Sequence, residues 1–320
     1  MILMSQIQFP DPSLWGGALL LPQMGVLMAQ GPDAASFLHG QLSQDTSGQT
    51  AHEARLAAYC SPKGRMLAST VNLRPEDETF FLLTDRAVLP ALLKRLSMFV
   101  MRAKAKLSDA SEAVRVIGLL GSVAQAVVGE VEAEASWQVR AHAGGQLIRM
   151  PDVQGLRRWC WVGPADASEA ILAALPALPD VVWAWLDVMS GVPHIEQPTV
   201  DLFVPQMINF ELIGGVNFKK GCYPGQEIVA RSQYRGTTKR RAFIVHALGP
   251  LTPGMEVFSQ LDPSQPAGAV INAAAIPDSF ALTQAPGFSA LVELKLQAID
   301  SPLFVGQGNT LALTMGALPY

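Results

Sequence analysis

The sequence predicts an α+β chain built from two layered α+β domains and a small antiparallel β-barrel at its C-terminal end. Three observations predict it. The first 130 residues read strand, helix, several strands, helix, strand. A second mixture of strands and helices fills the middle. From residue 242 onward only short strands remain, separated by Pro, Gly, Asp and Ser. With 320 residues, 49% of them hydrophobic and 16% charged, the chain buries a substantial core and is too long for one ordinary domain. The expected boundaries are 1–115, 116–237 and 238–320.

In order, residues 26–29 form a strand, and Gly31-Pro32-Asp33 opens a helix with Phe37, Leu38 and Leu42 on one side. Strands follow at 55–60, 66–73 and 80–84. Ser61-Pro62-Lys63-Gly64 has the composition of a hairpin turn between the first two. Asp85 caps a helix to about residue 101 whose Leu89, Leu92, Leu93, Leu96, Phe99 and Val100 keep helical spacing, with Pro90 near its start. Strands at 105–107 and 114–120 and a helix at 122–128 complete the first unit. The second has strands at 146–150 and 158–162 and helices at 166–175 and 181–189. Barrel strands are expected at 242–247, 255–258, 267–271, 290–298 and 310–314.

Composition excludes several classes. A net charge of −4 does not suit a surface built wholly for nucleic acid or anionic membrane, so any anion site is local. Residues 1–30 carry no Lys or Arg and are broken by Pro, which fits neither a signal peptide nor a membrane span, and a cytoplasmic protein is expected. Cys60, Cys160 and Cys222 are three, far apart, and form no Cys-x-x-Cys pair. They supply neither a disulfide framework nor the four-ligand set of a structural zinc or a resident cluster. The five histidines lack helical ligand spacing and read as ordinary surface or core residues.

Residues 219–241, KKGCYPGQEIVARSQYRGTTKRR, contain seven of the 23 basic residues and one acid, Glu227. A solvated linker is the bland reading of such charge. Gly221 and Gly225 favour a tight turn instead, because glycines let a ligand or partner approach the backbone. Lys219 and Lys220, just before Cys222, favour its thiolate, the form in which a cysteine acts as nucleophile or transient metal ligand. Cys222 is therefore the candidate reactive group, with Lys220 beside it. Cys60 and Cys160, in apolar strands, read as packing residues.

The run Lys220-Gly221-Cys222-Tyr223-Pro224-Gly225-Gln226-Glu227 resembles the K-G-C-[YF]-x-G-Q-E signature of the YgfZ-type folate-binding proteins. Phe203, Pro205-Gln206 and Asn209 before it, and Ala230-Arg231 with Tyr234-Arg235-Gly236 after it, are similar too. So are Trp183, Leu186-Asp187, Gly191 and Pro193, the Gly31 to Asp45 stretch, and Lys63-Gly64-Arg65-Met66. The resemblance implies the fold of the glycine-cleavage aminomethyltransferases, two ferredoxin-like α+β domains and a barrel around a folate-sized channel. It implies tetrahydrofolate or a related folate as cofactor. Trp183 would stack the pterin or benzoyl ring, and Tyr223, Gln226, Glu227, Arg231 and Arg235 would complete the site. Some relatives place a second folate-contacting Trp where this chain has Met24.

The related enzymes carry a catalytic carboxylate in a Gly-Gly-x-x-Asp-Asp hairpin; here the hairpin reads Lys63-Gly64-Arg65-Met66-Leu67-Ala68, and Leu67 or Ala68 cannot act as a base. The resemblance thus implies an accessory factor for iron–sulfur cluster assembly or repair. Its partners would be iron–sulfur clients such as radical enzymes that modify tRNA. A tetrahydrofolate-dependent aminomethyltransferase is the alternative. Arg231, Arg235, Lys239, Arg240 and Arg241 would hold the folate glutamate tail or an acidic client face. The same charges suit RNA less, because Tyr234 alone is interleaved with them after the turn.

Overall fold

In the computed structural model the described residues are 15–129, 134–234, 238–277, 287–306 and 310–320. Two antiparallel five-stranded sheets and a closed six-stranded barrel carry the chain, which is the predicted α+β class.

The first sheet uses β2 (Met24–Gln30), β3 (Arg55–Cys60), β4 (Met66–Glu76), β5 (Thr79–Asp85) and β6 (Lys106–Asp109), in the order β3-β4-β5-β2-β6. The expected 61–64 hairpin joins β3 to β4, with Cys60 opposite Met66. Helices α1 (Ala34–His39) and α2 (Leu89–Val100) cover one face. Leu27, Ala29, Phe80 and Leu82 alternate outward to meet Phe37, Leu38, Leu89, Leu92 and Leu96. Each large aliphatic side chain buried there stabilises the layer by roughly 1.5–3 kcal/mol. Asp85 caps the approach to α2, its Oδ1 accepting the Ala87 and Val88 amides at 3.0 Å.

The second sheet has the order β1-β7-β10-β9-β8, from β1 (Gly17–Leu20), β7 (Val114–Leu120), β8 (Val139–His142), β9 (Gly145–Val153) and β10 (Leu156–Pro164). Its outer face, with Ile117, Leu119, Trp159 and Trp161, lies under α3 (Gly121–Val128) and α4 (Ala165–Ala173). The sheets do not follow the expected division at residue 115, because β1 crosses it and pairs with β7. That strand is four residues long in an irregular stretch, so no periodicity announced it.

The inner faces of both sheets, helix α5 (Asp180–Met189) and barrel residues Ile244 and Leu291 share one central core. The barrel closes as β11-β14-β13-β12-β15-β16, from β11 (Arg240–Ala247), β12 (Glu256–Ser259), β13 (Gly268–Ala275), β14 (Phe288–Lys295), β15 (Leu303–Val305) and β16 (Leu311–Met315). Closure leaves no free sheet edge. Trp185 of α5 donates Nε1–H to Ser289 Oγ of β14 at 2.9 Å, tying the helix to the barrel. No helix among the described residues is long and apolar enough to cross a membrane.

Candidate functional site

The glycine-bracketed turn exists, and the chain continues from it into a helix, α6 (Gln226–Tyr234), that the sequence reading did not include. Val229 is the one buried residue of α6, so the helix shows no apolar period. Gln206 Nε2 donates to Val229 O at 2.7 Å and holds the helix down.

The approach to the turn is laid across the end of the first domain. Asn217 N donates to Ser43 O at 2.9 Å, and Asn217 Oδ1 accepts the amides of Lys219 and Lys220 at 2.9 and 3.2 Å. Lys220 points its ammonium away from solvent, to the carbonyl oxygens of His39 and, at 2.8 Å, Leu42, which satisfies acceptors left over at the end of α1. Its Nζ also stands 4.8 Å from the centre of the Tyr223 ring. Burial holds the Lys220 ammonium down to about 8, while the charges of Asp45 and Cys222 pull it upward.

Tyr223 is 7% exposed and is the anchor of the turn. Burial pushes its phenol up, with Cys60 adding to the shift. Cys60 itself is buried, its thiol pushed up to about 12, as is that of Cys160, in keeping with the packing roles expected of both. Gly225 adopts φ +79°, and a β carbon there would stand 2.4 Å from Ser61 O and 2.8 Å from the Gly64 α carbon. Only glycine lets the turn sit this close to the β3–β4 hairpin.

Braced at Lys220, Tyr223 and Gly225, the turn exposes Cys222. Glu227 and Arg231 are exposed on α6, and Gln226 is half-exposed at its start. Arg235 lies outside the described residues. The basic stretch is less available than expected. Arg240 gives two hydrogen bonds to Glu293, at 2.7 and 2.9 Å, and Arg241 pairs with Glu211 and donates to Gln206 O at 3.1 Å. Both arginines fasten the barrel entrance, and Lys219, Arg231 and Lys239 remain turned to solvent.

Trp183 is not part of the turn. It is 2% exposed on α5, pressed so close to Gly118 that a β carbon there would stand 2.6 Å from the ring. The Arg158 guanidinium stands 5.1 Å from its ring centre and is itself paired with Asp187 at 2.8 Å. For Trp183 to stack a ligand, Arg158 has to leave the ring.

A second polar cluster, absent from the sequence reading, stands where the first sheet, the chain after α5 and the barrel meet. His194 N donates to Asn272 Oδ1 at 2.8 Å, Asn272 Nδ2 donates to Glu196 Oε1 at 2.6 Å, and Ile195 N donates to Ser69 Oγ at 2.8 Å. Burial raises the Glu196 carboxyl, the bond from Asn272 opposes that, and the Asp85 carboxylate adds to it. Met24 is the register partner of Asp85. An acid among apolar neighbours in Val192-Pro193-His194-Ile195-Glu196 was the one available sequence signal. No cluster of three or more potential metal ligands occurs among the described residues.

The fold is that of an aminomethyltransferase. It superposes on the glycine cleavage system aminomethyltransferase T from Bartonella henselae with a TM-score of 0.74, over 95% of this chain and 86% of that one, at 15% identity. No family model matches the chain. It is 33% identical to the tRNA-modifying protein YgfZ of Edwardsiella ictaluri, over 97% of this chain and 96% of the relative. It is 31% identical to the protein of that name from Photobacterium profundum, over 70% and 68%. The chain belongs to the YgfZ family of tRNA-modifying proteins, as the K-G-C-Y-x-G-Q-E run implied.

Proposed function

We propose that the protein is a folate-binding accessory factor for the assembly or repair of iron–sulfur clusters in enzymes that modify tRNA, with Cys222 as its reactive group. The observation that carries this reading is the exposed thiol on a turn braced by the Lys220 and Tyr223 side chains. A turn built only to connect domains has no need of a glycine forced against a hairpin, nor of a lysine sunk into helix-end carbonyls. The reading takes the cluster as cargo delivered to a client, and an exposed sulfur suits transient contact with it.

At the three-way junction Glu196 is the residue that suits a reduced pterin. Its carboxyl can pair with the ring's donors, while Asn272, whose amide is engaged by His194 N, His194 O and Glu196 Oε1, holds that carboxyl in place. Tetrahydrofolate, when bound, would supply one-carbon or redox chemistry. The protein's own part is to orient the ring through Glu196, which Asn272 holds, and to exclude water with the surrounding core. Arg231 and Lys239, exposed, suit an anionic tail or client.

The test is complementation of a strain lacking its own family member, wild type against Cys222→Ser, with tRNA thiomethylation as the readout. The reading expects Cys222→Ser to fold and fail; equal rescue removes the thiol from the mechanism.

A one-carbon transferase is the second reading, and Glu196 is what favours it, since a half-buried carboxyl with a raised pKa suits proton handling. Against it, Met66 and Ala68 of the hairpin are buried and apolar. Release of methylene-tetrahydrofolate from a methylamine-loaded lipoyl carrier would establish it.

A further inference from the structure

Beside the Cys222 turn lies a histidine that the sequence reading treated as ordinary. His39, the last residue of α1, has its Nδ1 at 2.9 Å from Asp45 Oδ1. Asp45 is held in place from several sides: its Oδ1 accepts the Gly48 amide at 3.0 Å, and the Arg55 guanidinium stands 3.9 Å from Oδ2. The Gly48 bond is the largest cause lowering its pKa, and His39 and Arg55 lower it further, so Asp45 is ionised at neutral pH. An ionised carboxylate at Nδ1 fixes the tautomer of a neutral imidazole: the proton sits on Nδ1 and the lone pair on Nε2.

Nε2 faces the turn. A β carbon placed on Gly221 would stand 3.6 Å from it, so the imidazole edge lies against the backbone immediately before Cys222. On the other side of Gly221, Lys220 donates to the carbonyl of the same histidine, so the turn grips His39 at both its backbone and its ring edge. The thiol, one residue on from Gly221, is exposed.

We propose that His39 is the proton acceptor for the Cys222 thiol and that Asp45 is its positioning residue, giving a Cys-His-Asp relay split between the first domain and the turn. The step moves one proton: the S–H bond breaks, the proton passes to Nε2, and a thiolate and an imidazolium stabilised by Asp45 remain. The inference rests on the reading of Cys222 as the reactive group, and it names what makes that thiol reactive. The other charged groups about the site are Lys220, which donates to the His39 carbonyl, and Arg55 beside Asp45, itself engaged by Glu53 at 2.7 Å; Lys219 and Glu227 lie nearby in sequence and are exposed.

The test is alkylation of the full-length folded protein by iodoacetamide, followed from pH 5.5 to 9.5. Cys60 and Cys160 are buried, so the rate reports Cys222, with Cys222→Ser as the blank. His39→Gln should slow alkylation at pH 7 about tenfold and move the pH profile up by about one unit. Asp45→Asn, which keeps an acceptor for the Gly48 amide, should fall between the two. Thermal unfolding checks that both variants remain folded. A His39→Gln profile that superimposes on wild type overturns the proposal, as does a shift produced only by Lys220→Met. Complementation by Cys222→Ser separates the two failures: a normal relay in a protein that does not need its thiol would sink the proposed function and leave the relay standing.

Discussion

The Lys220 ammonium lies 2.8 Å from the Leu42 carbonyl oxygen, which joins the thiol-bearing turn to the chain just beyond the first helix across 178 residues of sequence. Burial holds that ammonium down to about 8, against an ordinary value of 10.5. Between those two values the unfolded chain binds the proton more tightly than the folded one, so the contribution of Lys220 to stability rises with pH across that window. Wild type should therefore gain stability relative to Lys220→Met from pH 8 to pH 10.5 and keep a constant offset below pH 7. Paired urea titrations across that range measure it, and a pH-independent offset would contradict a buried lysine.

Gly225→Ala should loosen the turn without unfolding the domains. Its φ of +79° disfavours any β carbon, and the added atom would stand 2.4 Å from Ser61 O. The expected cost is about 1–3 kcal/mol, confined to the turn and its hairpin. Hydrogen exchange should quicken across residues 219–234 and in the 61–64 hairpin, and stay unchanged in the barrel.

The hairpin that receives this turn was legible because Ser61-Pro62-Lys63-Gly64 interrupts two apolar strands, and α2 was legible because Leu89, Leu92 and Leu96 recur at helical spacing. What could not be read is where polar side chains end. Nothing local says that Lys220 reaches the carbonyls of α1, or that Arg240 and Arg241 are consumed by Glu293 and Glu211. The Glu196, Asn272 and Ser69 meeting point draws on three distant segments, so it exists only after the barrel and first sheet dock. Helix α6 escaped for the opposite reason: with Val229 alone facing inward, it is held by a side-chain hydrogen bond, which leaves no periodic trace.

His246 makes the barrel sensitive to acid. Its ring is 4% exposed, and Nδ1 meets Ser289 Oγ at 2.9 Å, the same hydroxyl that receives Trp185 Nε1–H. Burial lowers it from 6.5 to about 4. The unfolded chain takes up a proton below about pH 6.5 while the folded ring stays neutral until about 4. Stability from this group is complete above pH 6.5 and is lost as pH falls toward 4, on the order of 3 kcal/mol in all. His246→Gln should flatten that part of the stability profile, measured by chemical unfolding between pH 4 and 7.5. An unchanged slope would place the acid sensitivity elsewhere.

Asp187 decides whether the Trp183 ring can be reached. Its carboxylate holds Arg158, whose side chain is 1% exposed, 5.1 Å from the ring centre. Asp187→Ala leaves a guanidinium buried without its counter-charge, and because Asp187 is 27% exposed the cost falls below that of a fully buried pair, at about 1–3 kcal/mol. Arg158→Met removes the charge together with its need for a partner and should cost less. If tetrahydrofolate stacks on that ring, Arg158→Met opens the face and should strengthen folate quenching of tryptophan fluorescence, with Trp183→Phe abolishing the gain. If the pterin instead sits beside Glu196 and Asn272, Arg158→Met should leave the quenching curve where it is, and Glu196→Gln should weaken binding about tenfold through loss of a charged hydrogen bond.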